Sequence, residues 1–246
     1  MPMKLGTKGE HVIQADKHYI ESIGIVKFDL LGVATLNLIK EMKDDLNIDP
    51  WDYDINNPVF ENDKASYELL SSGRTNGVFQ VESAGMKDLM VRLQPKNLND
   101  VAAVVSLYRP DSMGALEEYI DIAVSGKKPE YIHPDMEPIL GNTNGCLLYQ
   151  EQLLDIVKKF GGRSYGKADL FRKAIGKKLP DMIADDMSTK GGYIFNKSHG
   201  YSYAVVCFTT AWLKVHYTTY FFKALFNQNK DKAGAINKYI IDSKYF

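Results

Sequence analysis

Cysteine is scarce: Cys146 and Cys207 are the only two, and they do not form a CxxC spacing. That usage argues against a zinc site and fits a reducing cytoplasm, where the chain is expected to work. No apolar run approaches the roughly 20 residues that span a bilayer, so no membrane partner is expected. The start, MPMKLGTKGEHV, has no apolar stretch of a signal peptide. There is no Walker A motif, no GxGxxG, no HExxH and no serine-nucleophile elbow, which removes the commonest ready-made chemistries. Repeats and low-complexity segments are absent too. Net charge is nearly nil, at −1 with a pI near 6.5. Only the local distribution of charge can therefore speak about an anionic ligand.

What is present is ordinary for a globular protein: 246 residues, 45% apolar and 25% charged. Ile23 to Leu31 reads as a buried strand ended by Gly32. Val33 to Asp45 reads as an amphipathic helix with Leu36, Ile39 and Met42 on one face. Asp44 to Asp63 is an acidic loop containing Pro50 and Pro58. Asp63 is placed to cap a helix through Leu70. Thr75 to Val81 reads as a turn into a short strand. Ser83 suits the N-cap of a helix to Leu93, and Asn97 or Asn99 that of a helix to Leu107. Arg109-Pro110 breaks the pattern, and a further helix runs from Asp111 to Val124, stopped by Gly126. A loop-rich stretch precedes a helix from Leu147 to Phe160, capped by Gly161. A basic helix covers about Lys167 to Ile175. A long, mostly apolar helix spans Ser198 to about Gln228, and a last one Ala233 to Ile241. The expected class is α+β and predominantly helical, a small strand-containing beginning followed by an α-helical remainder.

Lys158 to Lys178, KKFGGRSYGKADLFRKAIGKK, is where positive charge gathers, with Asp169 its one acidic residue. Arg172, Lys173, Lys177 and Lys178 crowd the C-terminal end of the basic helix, where the helix dipole favours cations. The dipole does not explain Arg163 and Lys167 at the other end. A solvated helix face and an anion site are both open readings. In the second, arginine forks onto phosphate oxygens and lysine acts as a point charge.

Two more sites carry the same ambiguity. Lys27 and Asp29 share one face of the expected strand. They form either an ion pair at a strand edge or a Mg²⁺ ligand beside a phosphate-binding lysine. Asn196-Lys197-Ser198-His199 precedes the long helix. Ser198 reads as a plain N-cap or as part of a phosphate site at a helix N-terminus. Among the aromatics behind it, Tyr203 is the candidate for base stacking. The pair Asp52 and Asp54 reads as turn formers rather than metal ligands.

Five motifs then occur in order: VKFDLLGVATLNLI, GVFQVESAGMKDLMVRLQP, LYQEQLLDIV, GKADLFRKAIGKK and FNKSH-x-x-x-YA. Together they resemble the C-family replicative DNA polymerases, the bacterial DNA polymerase III alpha subunits, over nearly the whole chain. The resemblance implies that residues 1–34 are the C-terminal part of a polymerase palm and residues 35–246 a fingers domain. It implies that Asp29 is one of three metal-binding aspartates, with Lys27 near the incoming triphosphate. By the same resemblance Arg172, Lys173, Lys177, Lys178, Asn196, Lys197, Ser198, His199 and Tyr203 face the nucleotide. Gln80, Glu82 and Ser83 of the GVFQxES motif, with Arg109, Arg163 and Lys167, lie near DNA or nucleotide.

The implied activity is two-metal nucleotidyl transfer with two Mg²⁺ ions, dNTPs and a DNA primer-template. The family's other two aspartates, its thumb and its PHP domain are expected in a second polypeptide, as in a split or phage-encoded polymerase. A non-catalytic nucleotide- or DNA-binding module, or a degenerate fragment, is the alternative. The chain departs from the family in reading Arg172-Lys173 for paired arginines and Arg109-Pro110-Asp111-Ser112 for an RPGP turn. It is also shorter by roughly 35 residues between Lys178 and Asn196.

Overall fold

A computed structural model describes residues 2–26, 28, 32–48, 62–109, 112–131, 133–162, 164–166 and 194–246. The chain divides into two units, one ending at Ala34 and one running from Thr35 to Phe246. The class is α+β and predominantly helical, with one two-stranded sheet among the described residues.

The first unit is built on an antiparallel hairpin. β1 (Met3–Leu5) pairs with β2 (His11–Ile13) so that Lys4 faces Val12. Gly9 closes the turn at φ 81°, a conformation that favours glycine. α1 (Lys17–Ser22) follows, its first turn capped by Asp16, which accepts from the Tyr19 N–H at 3.0 Å. The strand expected over Ile23–Leu31 does not form at residues 23–26 or 28. Its first residues instead close α1: the Ile23 N–H returns to the Tyr19 carbonyl, and Gly24 turns at φ 81°. A strand needs a neighbour for its backbone groups, and β1 and β2 pair only with each other. Phe28 is accordingly 82% exposed and Val26 70%.

The second unit is helical. α2 (Thr35–Leu46) buries Leu38, Ile39 and Met42. Leu36 is exposed, so the apolar face is set by Leu38 where Leu36 was expected. α3 (Lys64–Ser71) begins at Asp63, whose carboxylate accepts from the Ser66 hydroxyl and contacts His216 instead of capping a backbone N–H. α4 (Ala84–Leu93) and α5 (Leu98–Leu107) have side-chain caps at Ser83 and Asn97. α6 (Met113–Ser125) starts after Ser112 and ends on left-handed Gly126. After two 3₁₀ turns around α7 (Glu137–Leu140) comes α8 (Gln150–Gly161), closed by left-handed Gly162, one residue beyond the expected Gly161. The long helix is two: α9 (Lys197–His216) and α10 (Thr218–Asn229), separated at Tyr217. The Thr218 hydroxyl donates to the Lys214 carbonyl there, competing with the helix ladder. α11 (Ala233–Ser243) ends the chain.

α9 is the axis of this unit. Ala204, Cys207, Phe208 and Ala211 on it join α3, α4, α5 and α6 in one apolar core. Leu213 joins a second core with α2, α10 and α11. Burial without any polar compensation pushes the Cys207 thiol well above its ordinary pKa.

Between the two cores lies a fully buried lysine. Lys214 Nζ donates to the Asp242 carboxylate at 2.6 Å and to the carbonyls of Arg74 at 2.7 Å and Asn76 at 2.8 Å. The rings of Phe221, Phe222 and Phe246 surround it within 6 Å. Its three donors are all used, which is what makes a buried ammonium tolerable. Desolvation nevertheless lowers its pKa, partly offset by Asp242.

Lys214→Ala therefore strands a buried carboxylate and two carbonyls, and should cost about 3–5 kcal/mol in urea unfolding. Pairing Lys214→Met with Asp242→Leu should recover part of that loss but not all, because the Arg74 and Asn76 carbonyls stay unpaired. Equal stability of the double variant and the wild type would contradict this account.

Candidate functional site

Two segments hold most of the expected site residues that the structure describes: the turn Asn196–His199 and the loop Gly77–Ser83. The turn is set by its neighbour in space. Phe195 bridges Tyr149 in parallel: the Phe195 N–H reaches the Leu148 carbonyl, and the Gln150 N–H reaches the Phe195 carbonyl, both at 2.9 Å. The Gln150 side chain adds a bond to the Ile194 carbonyl at 3.1 Å. This cradle is itself fixed by buried Gln152. Its Oε1 accepts from the N–H groups of Leu148 and Tyr149 at 3.0 and 2.9 Å. Its Nε2 donates to the Thr143 hydroxyl at 2.7 Å and the Ile139 carbonyl at 3.2 Å. Every hydrogen-bonding position of that amide is filled.

Held extended by the bridge, Asn196 becomes the N-cap of α9, its Oδ1 accepting from the His199 N–H at 2.8 Å. Ser198, the expected cap, is the second residue of the helix. The Glu151 carboxylate accepts from Asn196 Nδ2 at 3.1 Å and from the Lys197 N–H at 2.9 Å. The Lys197 and His199 N–H groups are thus taken by the protein itself, so of the two open readings the phosphate site lacks a fully open N–H nest. The Ser198 N–H and hydroxyl make no hydrogen bond among the described residues. The Lys197 ammonium stands 5.5 Å from the Tyr201 ring.

From the turn an aromatic ladder climbs one face of α9. Phe195, His199 and Tyr203 follow at helical spacing, with ring centroids 5.4 and 4.3 Å apart. Phe79, from the other segment, stands 5.2 Å from Tyr203. The Arg109 guanidinium lies 4.5 Å over Phe195. Tyr203, a candidate for stacking, is half-buried and packs on protein rings. Through Phe79 and Phe195 the structure brings Arg109, His199 and Tyr203 together with the GVFQ loop.

That loop is a chain of turns, not the expected short strand. Val78 N–H bonds to the Thr75 carbonyl and Val81 N–H to the Val78 carbonyl, and both valines are buried. A turn sequence forms because polar tethers hold it from outside. Phe79 N–H donates to the Thr210 hydroxyl at 3.0 Å. Gly77 N–H donates to the Glu82 carboxylate, and Lys214 holds the carbonyls before it. Gly77 sits at φ 78° with Leu225 and Phe221 where a side chain would stand. Glu82 also meets Lys238 at 3.3 Å and Tyr239 at 3.4 Å. Burial, then Glu82, push the Tyr239 phenol up to about 12. Ser83 caps α4, accepting from the Met86 N–H at 3.3 Å. Glu82 and Ser83 therefore build the loop. Gln80 is exposed and left-handed at φ 66°.

Lys27, Asp29, Arg163, Lys167, Arg172, Lys173, Lys177 and Lys178 lie outside the described residues, as do Asp52 and Asp54. Among the described residues no three of His, Cys, Asp and Glu converge as a metal site. No helix there is long and apolar enough to cross a membrane. Sequence reasoning missed Phe79, Glu151, Gln152 and Lys214. The partners of Phe79, Glu151 and Lys214 are remote in the chain, while those of Gln152 are near, and the capping-box spacing of Tyr149 and Gln152 is its one local signal.

A family model described as "Bacterial DNA polymerase III alpha subunit finger domain" matches residues 34–190. A protein named DNA polymerase III subunit alpha from Pasteurella multocida is 37% identical over 96% of this chain and 23% of its own length. Its namesake from Campylobacter jejuni is 37% identical over 95% of this chain and 22% of its length. The one from Aquifex aeolicus is 35% identical over 100% and 23%. The chain thus spans less than a quarter of the length of these relatives.

Gln80→Gly should leave thermal stability near the wild-type value, since relief of the left-handed conformation and the added chain entropy roughly cancel at about 1 kcal/mol each. Glu82→Ala should lower it by about 1–3 kcal/mol, through loss of the Gly77, Lys238 and Tyr239 contacts. A Gln80→Gly variant that unfolds as readily as Glu82→Ala would assign both residues the same structural role, against the geometry.

Proposed function

Because this chain belongs to the bacterial DNA polymerase III alpha subunit finger-domain family, we propose that it is part of a DNA-directed DNA polymerase. In this reading it binds the triphosphate of an incoming dNTP over a DNA primer-template. The observation that carries it is the Asn196–His199 turn. Its backbone is fixed by Glu151 and Asn196, while the Ser198 N–H and hydroxyl and the Lys197 ammonium remain available to an anion.

Lys197 neutralises charge on the phosphates, and Ser198 orients one oxygen with two donors. His199, packed at a tilt between the rings of Phe195 and Tyr203, adds an exposed side chain at the same end of the helix. Arg172, Lys173, Lys177 and Lys178 add further charge, with Arg163 and Lys167 following the nucleic-acid backbone. In this reading Gln80 and Arg109 contact DNA or nucleotide, and Tyr203 backs the base side. Rigid positioning is what the GVFQ loop adds, through Phe79.

In this reading Asp29 supplies a hard oxygen ligand suited to Mg²⁺, and Lys27 a charge for the triphosphate. Mg²⁺ held there would supply activation of the primer hydroxyl and charge stabilisation of the leaving pyrophosphate. One carboxylate does not hold two ions, so the reading requires further palm carboxylates beyond the 246 residues given.

Primer extension tests this directly, with the chain alone and with a polypeptide supplying the other palm aspartates. Extension only in the mixture, abolished by Asp29→Ala, is the expected result. Lys197→Ala and Arg172→Ala should each weaken dNTP binding about tenfold, the loss of one charge-assisted hydrogen bond. Binding without extension in any mixture would reduce the chain to a nucleotide-binding module. Absence of both would leave only a folded remnant.

A further inference from the structure

We infer that Glu151 is a positioning residue for the nucleotide-facing turn. By holding the amide of Asn196 in one orientation, its carboxylate aims Lys197, Ser198 and His199 at the phosphates. The inference rests on the nucleotide reading given above.

Three hydrogen bonds make the device. Asn196 Nδ2 donates to Glu151 Oε1 at 3.1 Å, and the Lys197 N–H donates to Oε2 at 2.9 Å. The same Asn196 amide accepts the His199 N–H through Oδ1 at 2.8 Å. An asparagine amide can be turned either way, and the wrong way sets its NH₂ against the His199 N–H, donor to donor. A carboxylate accepts at both oxygens, so it selects the capping orientation and holds the next backbone amide as well. Glu151 lies in the first turn of α8 and reaches the first turn of α9. The positive ends of two helix dipoles therefore converge on one carboxylate, a favourable place for negative charge.

The consequence is selective. With Lys197 N–H and His199 N–H taken, and Gly200 N–H bonded to the Asn196 carbonyl at 3.1 Å, Ser198 carries the first-turn donor that has no partner among the described residues. An arriving phosphate oxygen meets one backbone amide in a fixed direction rather than a choice of three. Glu151 acts through Asn196 and Lys197, and its negative charge works against an anion. Geometry and charge thus make opposite predictions for its neutral isostere.

The test uses the full chain, Mg-dATP titration, and amide hydrogen exchange at Lys197 and His199, with thermal unfolding as the folding control. Glu151→Gln removes the charge and one acceptor while keeping the shape. Its dATP affinity should fall about tenfold, with faster exchange at both amides. Glu151→Gln combined with Asn196→Asp re-creates all three hydrogen bonds with donor and acceptor exchanged between the two side chains. That double variant should recover both the amide protection and the affinity lost by the single one. Affinity unchanged or raised in Glu151→Gln overturns the inference, as does a double variant no better than the single. A wild-type chain that binds no dATP overturns the nucleotide reading and this inference with it. A wild type that binds alongside an unaffected Glu151→Gln overturns only the role of Glu151.

Discussion

The buried ammonium of Lys214 is the contact on which the arrangement of the helical unit depends. It sits on α9, yet its three hydrogen bonds go to the loop before the GVFQ turn and to α11. From there one chain of contacts leads back along the helix. The loop carries Phe79, Phe79 meets Tyr203, and Tyr203 meets His199. Lys214 and His199 lie about 22 Å apart along the axis at 1.5 Å per residue. α9 is thus a rigid ruler: one end is fixed by charge inside the core, the other presents side chains to solvent. A lysine suits the inner end because a single donor group satisfies two backbone carbonyls and one carboxylate. No apolar residue could silence those acceptors.

The outer end follows different physics. There Asn196, Ser198 and His199 are exposed, and order comes from a sequence of small constraints: the Tyr149–Phe195 bridge, the saturated amide of buried Gln152, the carboxylate of Glu151. Each removes one degree of freedom from a segment that carries cations. This division suits a site for a highly charged ligand. The scaffold is bound by groups that have no spare hydrogen-bonding capacity, and the groups with spare capacity are left to the ligand.

How much of this the sequence discloses depends on the range of each signal. Ser83, Asn97 and Gly126 announce helix ends because a cap acts within four residues, and all three stand where their type predicts. The GVFQ and NKSH motifs were legible as special by resemblance. Their conformations were not, because partners far along the chain decide them. Thr210 and Lys214 make turns of a segment that reads as a strand. Asn196 rather than Ser198 caps α9 because Tyr149 holds the residue before it extended. Ile23 to Phe28 reads as buried because its composition is that of an inner strand. Residues 23–26 and 28 lie exposed because, among the described residues, no other strand flanks them.

The Tyr149–Phe195 bridge has a bearing on how such chains diversify. It joins two points with more than forty residues between them, so the excursion from α8 back to α9 begins and ends at one place. The cost of closing such an excursion grows only logarithmically, about 0.6 kcal/mol for each doubling in length. Residues can be gained or lost inside it without disturbing the frame that anchors its ends. The alignment to the Pasteurella relative runs to 274 residues against a chain of 246, so relatives do carry extra residues. A bridge of this kind makes length a variable that evolution, or a protein engineer inserting a reporter, can alter while the two helix starts keep their register.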